Sequence, residues 1–214
     1  MHNSKGAFSE TVYIYGTAIE FAITRGFSMK FISLGLGLGY NELLCTSLLL
    51  KHSVPLAEVY GQSYEAVSEL NHTFSKWLRS ETIAPDFQSA YDMIVNLCAV
   101  ETQQESSLIK FTLSQLVANR NWKLGRALDA ETTFDQKFSC YMFDAFSSKT
   151  SPELWEENFL TSFFQSTAAD QAVISTYAST GALKRSLTKN NFKVEIKTGF
   201  SGKRESTFAV KGTK

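Results

Sequence analysis

Three glycines, Gly35, Gly37 and Gly39, alternate between an apolar run, KFISL, and a helical pattern that opens at Asn41. A glycine turn between a strand and a helix is where an open α/β sheet accepts a nucleotide-like ligand, because a residue without Cβ lets the ligand reach the backbone. A dinucleotide fingerprint would need glycine at position 40, and Tyr40 stands there, which weighs against a nicotinamide-dependent oxidoreductase. Gly-x-Gly-x-Gly is instead the spacing of sheets that bind a methyl donor, where no pyrophosphate must be cradled. A P-loop fails as well: Gly199 and the Gly202-Lys203 pair are separated by two residues, where four are needed. Taken alone, the turn leaves a ligand-free strand–helix junction equally open.

Carboxylates at strand ends supply the rest of such a site. An adenosine needs an acid for its ribose hydroxyls and one near its adenine amine. Asp129, after the stretch WKLGRAL, is placed for the adenine side. The ribose acid should end the second strand, where Gly61 stands, leaving Glu58 and Glu65 as substitutes. Asp144 follows SCYMF at the expected carboxyl end of a central strand. There a carboxylate can accept hydrogen bonds from a substrate amine and help it lose a proton. An Asp that merely caps a helix or orders a loop is the competing reading.

Composition sets the frame for these residues. With 214 residues, 43% hydrophobic and 20% charged, the chain suits one soluble α/β domain over residues 1–214. Cys45, Cys98 and Cys140, with His2, His52 and His72, show no ligand spacing, so no metal is expected and the cysteines read as buried hydrophobes of a reducing cytoplasm. No apolar run reaches the roughly 20 residues that span a bilayer, so no membrane partner is expected.

Short β-rich runs alternate with longer helical patterns, which implies βαβ units on a mostly parallel sheet. Strands are expected at Lys30–Leu34, Leu56–Tyr60, Trp122–Leu128, Phe138–Phe143 and Ala172–Tyr177. Helices are expected at Asn41–Lys51, Tyr64–Arg79 and Ala182–Asn190, with an inserted helical pair within Ile83–Asn119. Ser151-Pro152-Glu153 reads as a helix start. Phe192–Lys197 and Ser206–Lys211 should pair as a C-terminal antiparallel hairpin, and residues 1–29 should form an N-terminal extension that packs on the domain.

Four blocks together resemble the MnmC-like methyltransferase family: GAFSETVYIYG (Gly6–Gly16), SLGLGLGYNELL (Ser33–Leu44), DAFSSKTSPELW (Asp144–Trp155), and the pair TYASTGALKRSL with GFSGKRES. The resemblance covers essentially the whole chain and is weakest over Val54–Asn119. It implies a Rossmann-like class I methyltransferase fold and S-adenosyl-L-methionine as cofactor. It implies N-methylation of the aminomethyl group of a modified wobble uridine in tRNA, with a separate enzyme supplying the aminomethyl precursor. By the same resemblance Gly35, Gly37, Gly39 and Asn41 would line the donor and Asp129 would lie by its adenine. Asp144 would hold the substrate amine, Phe146 would wall the pocket, and Lys203 and Arg204 would lie at its mouth or contact RNA. The family usually carries an acid where this chain has Ser33 and another where it has Gly61, and often a proline where it has Ser148. A methyltransferase acting on another amine, or a donor- or RNA-binding homologue without catalysis, are the alternatives.

Charge is distributed unevenly. From Lys184 to Lys214 there are nine basic residues against two acids, a segment of +7 in a chain of zero net charge, which points to a polyanion such as tRNA.

Overall fold

The computed structural model describes residues 6–129, 131–144, 152–200 and 205–212. Strands β1 (Lys30–Leu34), β2 (Tyr60–Tyr64), β3 (Trp122–Gly125), β4 (Phe138–Phe143), β5 (Ala168–Thr176), β6 (Lys193–Lys197) and β7 (Ser206–Lys211) form one sheet of order β3-β2-β1-β4-β5-β7-β6. The first five pair in parallel, and β7 runs antiparallel to both β5 and β6. The parallel sheet and the C-terminal hairpin are as expected.

Both faces of the sheet are covered, which is why β1 and β4 read as continuous apolar runs. On one face Phe31, Cys140 and Met142 pack with helices α2 (Thr17–Thr24), α3 (Tyr40–Lys51), α4 (Ser68–Leu78), α5 (Pro85–Thr102) and α6 (Ser106–Ala118). On the other, Ile32, Leu34, Tyr141 and Phe143 pack with α7 (Glu157–Thr167) and α8 (Gly181–Lys189). The helical pair α5–α6 starts with Pro85 at its first turn, where the missing N–H costs nothing. The N-terminal residues are helical without a break from α1 (Ala7–Thr11) through a π-turn (Val12–Gly16) into α2, which packs on β4 and β5.

Five boundaries differ from expectation by more than two residues, among them the helix expected from Tyr64, which starts at Ser68 because Tyr64 still belongs to β2. The second strand is Tyr60–Tyr64, and Leu56–Glu58 is a 3-10 turn before it. YGQSY carries little apolar signal because Gly61 is covered by a distant residue: a Cβ there would lie 2.1 Å from the Trp122 ring, itself stacked on Phe31. The third strand stops at Gly125 because it is an edge strand whose neighbour ends at Tyr64, the partner of Gly125. The fifth begins at Ala168, directly from α7. Pro152–Trp155 is a 3-10 turn and the α-helix starts at Glu157; Ser151 lies outside the described residues.

Candidate active site

Strand register builds the site. Leu34 stands opposite Tyr64 of β2 on one side and Phe143 of β4 on the other. Gly35, Glu65 and Asp144 are therefore the next residues of three adjacent parallel strands, all at one edge. The edge is tied together by the Gly35 and Leu36 N–H groups donating to Tyr64 O and the Asp144 N–H to Leu34 O. The chain leaves β1 towards β2 and returns on its other side as β4, so this is the switch point where open α/β sheets hold ligands.

A cleft of about 340 Å³ opens here, lined by Gly35–Leu38, Tyr40 and Asn41 from the glycine turn, Asp144 from β4, and Tyr177 after β5. Glu10 and Tyr15 of the N-terminal helix close its wall. The volume falls within the range of small-molecule sites.

Gly37 and Gly39 do different work. Gly37 has φ +53° and nothing within 4 Å of where a Cβ would be, so its backbone is open to the cleft. Its N–H donates to Glu65 Oε2 at 2.9 Å. Gly39, at φ +73°, would drive a Cβ to 2.4 Å from Phe74; its small size serves the core, and it does not line the cleft. Asn41 is buried beside the cleft, with its side-chain oxygen unpartnered among the described residues.

Glu65 is the acid at the end of β2. It is buried, and it accepts from the N–H groups of Gly37 and Val67. Glu58 falls in the 3-10 turn before β2, at the opposite end of the strand. Of the two acids the sequence left open, the four-residue shift of β2 puts Glu65, and not Glu58, beside the glycine turn.

Asp144 sits at the cleft floor, open to the cleft yet crowded by protein. Loss of hydration and the nearby Glu42 and Glu10 carboxylates raise its pKa from 3.8 to about 7, against a lowering hydrogen bond from Tyr15. Phe143, the residue before Asp144, meets Trp155 edge-on, ring centroids 5.2 Å apart. Phe146, Lys203 and Arg204 lie outside the described residues. Asp129 is not brought into the cleft: its Oδ1 closes an exposed turn by accepting from the Glu131 N–H and the Thr132 hydroxyl.

Residues missed from the sequence include Tyr15 and Glu10, both within the first matching block, and Glu42. Glu42, fully buried in the first turn of α3, accepts from Ser63 Oγ at 2.7 Å. Burial, countered by the Ser63 and Ser33 hydroxyls, raises its pKa to about 7.

Flanks of the last block are tied to the N-terminal helix and to the segment after β5. Tyr13 donates to Thr198 O and packs on Phe200, while Glu205 meets Ser179 and Lys184. Part of the basic segment is neutralised locally, since Glu157 pairs with Arg185 and Lys189. Among the described residues no group of His, Cys, Asp or Glu could hold a metal, and no helix is long and apolar enough to cross a membrane.

Comparison with known proteins agrees with this geometry. A family model described as "S-adenosyl-L-methionine-dependent methyltransferase" matches residues 91–212. The tRNA 5-methylaminomethyl-2-thiouridine biosynthesis bifunctional protein MnmC of Pseudomonas fluorescens is 24% identical over 192 residues, 86% of this chain and 27% of the relative. The protein of the same name from Hahella chejuensis is 32% identical over 87 residues, 41% of this chain and 14% of the relative. The chain thus spans only a fraction of these relatives' length. Among solved structures, MnmC2 from Aquifex aeolicus superposes with a TM-score of 0.60 at 21% identity, covering 97% of this chain and 62% of that one. The glycopeptide N-methyltransferase MtfA superposes with a TM-score of 0.50 at 14% identity, covering 92% of this chain and 94% of that one.

Proposed function

The chain belongs to the S-adenosyl-L-methionine-dependent methyltransferase family, and from that premise we propose that it N-methylates the aminomethyl group of a modified wobble uridine in cytoplasmic tRNA. The observation that carries this reading is Asp144, a carboxylate at the floor of the switch-point cleft, next to a glycine turn open to ligand.

The residues fit the donor. The open backbone at Gly37 and the unpartnered Asn41 oxygen offer it polar contacts. Each Glu65 oxygen already accepts one N–H and has a further lone pair for a ribose hydroxyl. The acids Glu10 and Asp144 suit a cationic ligand, and no basic side chain lines the cleft among the described residues. Bound S-adenosyl-L-methionine supplies an activated methyl group on a sulfonium.

The protein's part is positioning and proton transfer. Asp144, held near pH 7, accepts hydrogen bonds from the substrate ammonium and takes its proton, leaving a free amine lone pair. A group that titrates near the working pH is the efficient acceptor, because it is both available and basic enough. Asp144→Asn cannot take the proton, and the rate should fall about 10²-fold or more.

The tRNA substrate is supported by the MnmC relatives and by the +7 C-terminal segment. Mass spectrometry of wobble nucleosides from cells with and without the protein tests the reading. Accumulation of the unmethylated aminomethyl nucleoside supports it, and unchanged nucleosides refute it.

A further inference from the structure

We propose that Tyr15 is a positioning residue for proton transfer: its single hydroxyl hydrogen alternates between the Asp144 carboxylate and the Phe143 carbonyl, so Asp144 keeps a hydrogen-bonded partner in both protonation states. The inference rests on the reading of Asp144 as the proton acceptor. Tyr15 is 3% exposed and lines the cleft wall. Its hydroxyl donates to Phe143 O, the carbonyl just before Asp144, at 3.4 Å, and it lines the same cleft as the Asp144 side chain, close enough to lower that carboxyl's pKa. A phenol has one hydrogen to give and lone pairs with which to accept.

With Asp144 ionised, Tyr15 donates to the carboxylate, and the Phe143 carbonyl waits. When a substrate N–H bond breaks and an O–H bond forms on Asp144, that new O–H donates to the Tyr15 oxygen, whose own hydrogen turns to Phe143 O. The proton then leaves Asp144 to water through the open cleft, and the first state returns. Tyr15 keeps its hydrogen throughout, for burial and the Asp144 charge push its own ionisation far above neutral pH.

The π-turn is what delivers the side chain. An α-helix turns about 100° per residue, so the extra residue in Val12–Gly16 redirects everything within it. Such insertions recur at functional sites. Among the described residues, the other titratable groups facing Asp144 are Glu10 on α1, Glu42 on α3 and Tyr177 after β5.

Carboxyl-¹³C aspartate NMR of the ligand-free protein tests the idea, with the Asp144 signal assigned by its loss in Asp144→Asn. Tyr15→Phe should raise the Asp144 midpoint by about one pH unit, tenfold in proton affinity, as expected for losing one hydrogen bond to a charged group. The acid limb of the pH–rate profile should rise with it. A midpoint unmoved in a folded Tyr15→Phe protein overturns the inference. Should that variant not fold, ring-¹³C tyrosine spectra of the unaltered protein serve: the Tyr15 Cζ signal must shift at the Asp144 midpoint, and a flat signal overturns the inference. Full methylation by Asp144→Asn at every pH would instead sink the proton-acceptor reading, a failure the free-protein titration distinguishes.

Discussion

Replacing Glu42 with Gln should stabilise the protein at alkaline pH and do little at acid pH. Glu42 is fully buried. Its Oε1 accepts from Ser63 Oγ, which itself accepts from Trp122 Nε1 at 2.9 Å, while Oε2 and the Ser33 hydroxyl lack regular partners. Loss of hydration outweighs the Ser63 and Ser33 hydroxyls and raises the pKa from 4.5 to about 7, with Glu65 adding repulsion. The folded state therefore holds the proton more tightly than the unfolded chain. Stability contributed by neutral Glu42 is complete below about pH 4.5 and lost as pH rises through about 7. At about 1.4 kcal/mol per unit, the loss is about 3 kcal/mol.

Gln keeps the acceptor for Ser63, adds an amide N–H₂ that can donate to Ser33, and does not titrate. Urea unfolding of both proteins at about pH 5 and about pH 8.5 should show a difference that grows by about 3 kcal/mol in favour of Gln. Asp144 titrates in both proteins and largely cancels in the difference. A difference independent of pH, or a Gln variant less stable at the higher pH, would refute the argument that Glu42 is held by burial against its charge.

The glycines should separate by readout. Gly37→Ala meets no atom and should cost only about 1–2 kcal/mol for its left-handed backbone, while S-adenosyl-L-methionine affinity by calorimetry falls. Gly39→Ala collides with Phe74 and should cost stability by about 1–3 kcal/mol beyond that strain; equal stability of the two variants would contradict this division. Glu65→Ala should weaken donor binding by releasing the Gly37 N–H, and unchanged affinity would remove Glu65 from the site. Lys203→Ala with Arg204→Ala should weaken tRNA binding and flatten its salt dependence by about 0.7–0.9 log unit per lost phosphate contact. The same salt slope as the parent would put the RNA elsewhere.

Local pattern in the chain determined much of this protein. The apolar runs KFISL and FSCYMF, the glycine spacing after the first and Asp144 after the second are contiguous signals, and parallel pairing alone brings their ends to one edge. The hairpin of β6 and β7 was legible for the same reason, because alternation and a turn are local. What only the tertiary structure decided depends on residues far apart in the chain. Gly61 is a strand residue because Trp122 covers it, which moves β2 onto Glu65. Gly39 is small for Phe74 and not for a ligand. Tyr15 reaches Asp144 across more than half the chain because a π-turn redirects one side chain within an otherwise regular helix. Glu42 resists ionisation because α3 packed on the sheet excludes water from it. Spacing records which residues follow one another along an element. Desolvation and side-chain packing exist only once the elements have met.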